Sequence, residues 1–279
     1  MRPRTPLLPR LLVPALLLAA SLSAQEKKDG PIQDNSFLVE EAYNQEPGVV
    51  QHISTFALAG VHHKDYFYSF TQEWPFTGQT HQLSYTVPVS RFEGQSAGFG
   101  DILLNYRYQL GAGERKWAMA PRLSVVLPTG SVDKGLGDGS PGVQVNLPFS
   151  YHLSSQVVTH LNAGGTVLPW AKGPSLGGKR PKKTLSSVFA GGSLIAPVTL
   201  PVQLMFESLV TYDGEIDAAG DVQHASSWII NPGVRAALNL GSLQIVPGFA
   251  VPFTRSGGET THDYFLYLSF EHPFSSAAK

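Results

Sequence analysis

Apolar and polar side chains alternate along most of this chain. In 261–274, Tyr264, Leu266, Leu268, Phe270 and Phe274 share one face of an extended strand, because successive side chains point to opposite sides. His272 is the one polar interruption of that row. In 101–110 the apolar set is Ile102, Leu104, Tyr106, Tyr108 and Leu110, set against Asp101, Asn105, Arg107 and Gln109. In 143–153, Val143, Val145, Leu147, Phe149, Tyr151 and Leu153 oppose Gln144, Asn146, Ser150 and His152. In 201–213, Val202, Leu204, Phe206, Val210 and Tyr212 oppose Gln203, Glu207, Thr211 and Asp213. In 228–240, Ile230, Val234, Ala236, Leu238 and Leu240 oppose Asn231, Arg235 and Asn239. A period of two predicts strands, and helical spacing fits none of these stretches.

The pattern predicts about twelve strands, near 49–59, 66–75, 80–92, 99–110, 115–129, 141–153, 157–170, 184–197, 201–213, 225–240, 243–254 and 261–274. Most exceed the roughly 5–6 residues of an average soluble strand and reach the roughly 9–11 that a tilted strand needs to cross a bilayer. Short turns at 76–79, 111–114, 154–156, 198–200 and 241–242 alternate with mostly longer connections at 60–65, 93–98, 130–140, 171–183, 214–224 and 255–260. Outer-membrane barrels have an even strand number, short periplasmic turns and longer external loops. The fold class expected is therefore an all-β, transmembrane, antiparallel up-and-down barrel of about twelve strands, spanning 49–274, with both ends in the periplasm. Pro88, Pro121, Pro128, Pro148, Pro169, Pro197, Pro232, Pro247 and Pro252 fall inside or near strand ends. Proline cannot donate to a strand ladder, so bulges or strand ends are expected there. A soluble β-sandwich of shorter strands broken at those prolines is the competing architecture.

The first 24 residues read as a secretory signal peptide: Arg2, Arg4 and Arg10, an apolar core over 11–18, then the small residues Ala19, Ala20, Ser21, Ser23 and Ala24. That core is too short for a membrane-spanning helix, which takes about 20 residues. Export to a bacterial outer membrane follows, with cleavage placed after Ala24. Residues 25–48 are polar and acidic and read either as a loosely ordered periplasmic leader or as a piece that folds into the barrel mouth, where Glu40, Glu41, Tyr43 and Asn44 are candidates to gate or plug it. Residues 275–279 run past the last strand as a short tail.

Composition narrows the picture further. Removing the three signal-peptide arginines from the 20 Lys+Arg leaves 17 against 21 Asp+Glu, so the mature chain is acidic and gives no sign of nucleic-acid binding. Cysteine is absent, which excludes lipoprotein acylation, disulfides and thiolate metal sites. A mean hydropathy of −0.03 suits a barrel, where only every second residue meets lipid.

Two stretches are distinctive: 34–52, DNSFLVEEAYNQEPGVVQH, and Gly98-Phe99-Gly100-Asp101-Ile102 followed by 121–131, PRLSVVLPTGS, with its Gly-rich continuation to Gly142. Together they resemble the bacterial outer-membrane transporter-like β-barrel family of the MetA-pathway of phenol degradation, over nearly all of the mature chain. The resemblance implies a barrel that passes small molecules, hydrophobic or aromatic ones among them, and supplies no catalytic residues and no cofactor.

Candidate chemistry lies on the inward faces. Asn105, Arg107, Arg122, Gln144, Asn146, His160, Glu207, Asn231, Arg235 and Glu271 are the candidate lumen and solute-path residues, joined there by His152 and Asn162. Buried charges need partners, and such a set either lines a polar path or fills the lumen. The two function classes are thus a porin-like channel and a non-conducting structural or surface-interaction barrel. A third, enzymatic class rests on His152-Leu153-Ser154, which resembles the His-x-Ser of outer-membrane phospholipase A. No residue at matching spacing orients that histidine as acyl transfer requires, so the chain is read as a non-enzyme.

Asp133 to Ser140 is rich in Asp and Gly but lacks EF-hand spacing, which predicts an exposed loop rather than a calcium site. Lys172, Lys179, Arg180, Lys182 and Lys183 make one loop basic, able to meet lipopolysaccharide phosphates or simply to be solvated. His62 and His63 have no second cluster to complete a metal site. The partners expected are outer-membrane lipid and lipopolysaccharide, barrel-assembly machinery and a small-molecule solute; the oligomeric state is open.

Overall fold

The structure, a computed structural model, describes residues 34–59, 64–111, 115–199 and 201–274. The expected signal peptide, the pair His62 and His63, and the tail 275–279 lie outside the described residues. Twelve strands follow one another: β1 (Val49–Ala59), β2 (Tyr66–Pro75), β3 (His81–Arg91), β4 in three pieces (Gly98–Phe99, Ile102–Tyr108, Leu110–Gly111), β5 (Trp117–Met119, Arg122–Leu127), β6 (Gly142–Asn146, Phe149–His152), β7 (Val158–Lys172), β8 (Lys182–Thr199), β9 (Val202–Ile216), β10 (Val222–Ala236, Leu238–Leu240), β11 (Leu243–Ala250, Phe253–Ser256) and β12 (Glu259–Pro273). Each pairs antiparallel with the next. β1 pairs with β12 from Val49 opposite Pro273 to Ala59 opposite Asp263, and that closes the barrel.

Closure leaves no edge strand and satisfies the ladder all round, which is why a barrel of alternating strands can stand in lipid. The outward faces carry the apolar sets read from the sequence. Leu104, Leu123, Val145, Leu161, Val188, Phe206, Trp228 and Leu266 are all exposed on the outside of the wall. An apolar band of that extent marks a membrane-facing surface.

Five of the nine prolines coincide with strand breaks or register shifts and Pro128 follows a strand end, whereas Pro88, Pro232 and Pro247 stand inside continuous pairing, contrary to expectation. β5, β6 and β11 break at Pro121, Pro148 and Pro252, while β7 and β8 shift register around Pro169 and at Pro197. Their carbonyls still serve the neighbouring strand: Tyr108 N–H donates to Pro121 O (3.0 Å), Ala120 N–H to Pro148 O (3.0 Å) and Asp263 N–H to Pro252 O (3.0 Å).

Residues 34–48 do not hang from the wall. They run inside the barrel, in the half nearer the short turns, where Asp34, Phe37, Val39, Glu41, Ala42, Tyr43, Asn44 and Gln45 are buried. Phe37 packs in an apolar cluster with Ile53, Val158, Ile195, Met205, Val246, Phe265 and Tyr267, and Ala42 and Tyr43 pack on Ala118 and Ala120. The 130–140 loop corrects the expectation of an exposed segment. Leu136 and Ser140 are buried, and Asp101 draws the loop inward by accepting the N–H groups of Gly130 (2.8 Å) and Asp138 (3.1 Å).

Candidate functional site

The wall holds the inner segment mainly through its backbone. Glu207 Oε1 on β9 accepts two successive amides, Leu38 N–H (2.8 Å) and Val39 N–H (3.1 Å), while Asn231 Nδ2 on β10 donates to Glu207 Oε2 (2.7 Å). Asn162 on β7 accepts Glu40 N–H (2.9 Å) and donates to Glu40 O (2.8 Å). Ser150 Oγ on β6 accepts Ala42 N–H (2.8 Å), and Gln82 on β3 accepts Gln45 N–H (2.7 Å). Arg107 Nη1 on β4 donates to Glu41 O (2.8 Å), and Arg235 Nη1 on β10 to the carbonyls of Asp34 (2.9 Å) and Asn35 (2.7 Å). An extended segment without its own secondary structure needs such partners for its buried amides and carbonyls.

The segment also brings Asp34, Glu40 and Glu41 near wall arginines 107, 122 and 235. Arg122 binds Glu40 through Nε (3.0 Å) and Nη2 (2.7 Å), and the same guanidinium also reaches Asn105 Oδ1, Ser124 Oγ and Gln144 Oε1. Arg107 pairs with Glu73 at 3.2 Å. Burial pushes the Glu40 carboxyl up, but the Arg122 and Arg107 charges outweigh it and hold Glu40 below its usual range. Burial raises Asp34, with Arg235 opposing. It raises Glu41 further, with the Asp34 charge adding to the effect. Glu41 Oε2 and Asp34 Oδ2 have no hydrogen-bond partner, and a buried carboxyl oxygen without a donor favours the neutral form.

The opposite half of the lumen holds two cavities. A cavity of about 500 Å³ lies under the long loops, lined by Asp101, Leu136, Asp138, Lys172, Arg180 and Ile216 among others. A deeper one of about 290 Å³ shares Asp101, Asp138, Leu185 and Gly214 with it. The deeper cavity reaches Gln144, Thr166, Ser187 and Asp213 beside Leu103, Val126 and Leu168. Gln144 links it to the inner segment, donating to Thr166 Oγ1 (3.0 Å) while accepting from Arg122.

The ten lumen candidates therefore divide. Gln144 and Arg122 stand between the open cavities and the segment. Asn105, Arg107, Asn146, His160, Glu207, Asn231 and Arg235 are buried around the segment itself. Glu271, opposite Gln51 and Gln244, lies toward the short-turn end, and its charge adds to the rise of Glu41. Of the mouth candidates, Glu40 meets Arg122, Asn44 donates through Nδ2 to the carbonyls of Gln79 (2.8 Å) and Thr80 (3.0 Å), and Tyr43 lies against the His152 ring at 5.9 Å. Sequence reasoning missed Asp34, Gln51, Glu73 and Gln82 as members of this network. Glu73 and Gln82 carry a weaker form of that signal, each flanked by one apolar residue, Trp74 or Leu83, and one polar one, Gln72 or His81.

Ser154 of the His-x-Ser stretch sits in a turn, where its Oγ accepts the N–H groups of Gln156 (3.2 Å) and Val157 (3.0 Å). A serine–histidine contact does occur elsewhere, Ser150 Oγ to His160 Nδ1 at 2.7 Å. Ser150 Oγ also accepts Ala42 N–H there, so the pair serves the inner segment. In the basic loop, Arg180 pairs with Asp133 and Lys183 lies 3.6 Å from Asp221.

No family model and no curated protein matches the chain. Among solved structures, an outer-membrane channel from Pseudomonas putida F1 is similar at a TM-score of 0.64 and 13% identity, covering 84% of this chain and 98% of that one. The NanC porin is similar at a TM-score of 0.50 and 6% identity, covering 79% and 98%. These likenesses carry the fold, an outer-membrane-type β-barrel.

Proposed function

We propose that this protein is an outer-membrane channel for small molecules whose periplasmic half is closed by its own residues 34–48. The observation that carries the reading is the division of the lumen. One half is occupied by a segment hydrogen-bonded to the wall along much of its buried backbone, and the other holds two cavities that share lining residues. A barrel wall filled only for stability has no need of such cavities. Short turns mark the periplasmic end in outer-membrane barrels, so the segment closes the inner mouth and the cavities face the outside. The deeper cavity places Leu103, Val126, Leu168 and Leu185 beside Gln144, Thr166, Ser187 and Asp213. That lining favours a solute with an apolar body and one or two hydrogen-bonding groups, a class that includes hydroxylated aromatics.

A second reading, a non-conducting barrel with a structural role, is favoured by the number of hydrogen bonds between wall and segment. Planar-bilayer recording separates the two. The mature protein should show small or rare openings, and deletion of residues 30–46 should raise conductance severalfold. Absence of channels from both proteins, at any voltage, would overturn the channel reading.

A further inference from the structure

Two imidazoles face each other where the first strand meets the last. Val50 pairs with His272 and His52 with Phe270 across the closing seam, so His52 and His272 are diagonal neighbours within reach of each other. Gln51, Ile53 and Ser269 are buried inside the barrel, and alternation therefore puts both histidines on the outer wall. Their Nε2 atoms are 3.2 Å apart, with ring centroids at 5.3 Å and planes inclined by 24°.

Three features make this more than a chance approach. His272 Nδ1 lies 2.9 Å from Pro273 O. A carbonyl only accepts, so Nδ1 carries the hydrogen and the neutral ring presents a lone pair at Nε2. That bond is of the kind that orients metal-ligating histidines from outside the coordination sphere. On the far side, the Phe70 ring stacks on His52 at 6.0 Å and 22°, which limits its rotation. Finally, two zinc–nitrogen bonds of about 2.0–2.1 Å at a tetrahedral angle separate their nitrogens by about 3.3 Å. The two Nε2 atoms already stand near that spacing.

We propose that His52 and His272 form a two-histidine site for a borderline divalent cation, Zn²⁺ fitting best, that ties β1 to β12 at the barrel seam. Imidazole selects zinc, nickel and copper over calcium and magnesium. Among the described residues no group of three or more His, Cys, Asp or Glu gathers to hold a metal, so water completes the coordination. The site is independent of what passes through the lumen.

The test uses the mature protein folded in detergent micelles, titrated with ZnCl₂ against a chromophoric chelator. The temperature at which the folded, fast-migrating band is lost in gels is followed in parallel. One Zn²⁺ per barrel is expected, with a higher conversion temperature. His52→Gln and His272→Gln should each abolish both effects, and the double change His62→Gln with His63→Gln should abolish neither. Should a seam variant fail to fold, ¹⁵N-histidine NMR of the unaltered protein decides, because only two imidazoles should respond to Zn²⁺. Absence of binding, binding that survives both seam variants, or binding lost with His62 and His63 would overturn the proposal and leave the pair as a histidine–histidine hydrogen bond.

Discussion

Arg122 closes on Glu40 with one full edge of its guanidinium, Nε to Oε2 at 3.0 Å and Nη2 to Oε1 at 2.7 Å. This parallel pairing is the strong form of an arginine–carboxylate contact. It joins the wall to the inner segment at the level where the open cavities end.

Glu40→Gln keeps the shape and removes the charge. Arg122 retains Asn105, Ser124 and Gln144, so the cost should be about 1–3 kcal/mol, the range for a lost charge-assisted hydrogen bond. The barrel should still fold, and its open probability in bilayers should rise. Glu40→Gln openings indistinguishable from those of the unaltered protein would show that this contact does not hold the segment.

Glu207 is a buried carboxylate whose two oxygens are met by three N–H donors, from Leu38, Val39 and Asn231. In Glu207→Gln an NH₂ group facing the two amides meets donor with donor, and one facing Asn231 requires that side-chain amide to turn over while the bonds from Leu38 and Val39 lose their charged acceptor. We expect about 1–3 kcal/mol of lost hold on the segment, read as faster protease cleavage within 34–48 while the barrel band in gels is unchanged. Glu207→Gln combined with Asn231→Asp should recover part of the loss.

The wall was legible in the sequence because its signal is local. Leu104 and Asn105, or Phe206 and Glu207, declare opposite faces by adjacency alone, and Pro121, Pro148 and Pro252 mark where the ladder lapses. The capture of the inner segment was not legible. Leu38 meets Glu207 across 169 residues of chain, and only the closed register of the barrel brings them together. Polar residues such as Glu40, Glu41, Tyr43 and Asn44 pointed to the segment as an occupant of the mouth without saying which wall residues receive it. The 130–140 loop was misread because glycine-rich composition does not distinguish a loop folded outward from one folded inward; Leu136 was the residue that signalled the latter.

The hold on the segment should depend on pH in a stated direction. Asp34 and Glu41 are raised mainly by burial, so the inserted segment binds more protons than a released, solvated one. Linkage then makes insertion most stable at low pH and progressively weaker as pH rises above the ordinary carboxylate values of 3.8 and 4.5. The limiting slope is about 1.4 kcal/mol per pH unit while one group titrates. Glu40 is lowered, so its contribution is present above 4.5 and is lost as pH falls further. The hold should therefore peak in mild acid. Open probability should climb as pH rises above 4.5, and Glu41→Gln should flatten the climb. A climb of equal steepness in Glu41→Gln would assign the dependence to other groups.

Phe37 offers a way to release the segment without shortening the chain. Its ring lies 5.6 Å from Phe265 and 5.3 Å from Tyr267, over a part of the wall made shallow by Gly233 and Gly248. A Cβ at Gly233 would come within 2.5 Å of the ring, and one at Gly248 would also clash with it. Both glycines lie in paired β-strand positions and neither needs a positive φ. Valine at either site fits the strand but takes the space of the ring. Gly248→Val should thus displace Phe37 while leaving the ladder intact, at a cost comparable to the about 3–5 kcal/mol of removing a buried phenyl ring. Its conductance should approach that of the protein lacking residues 30–46, and combining the two changes should add nothing. Additive increases in conductance would mean that Gly248 shapes the pore directly rather than through Phe37.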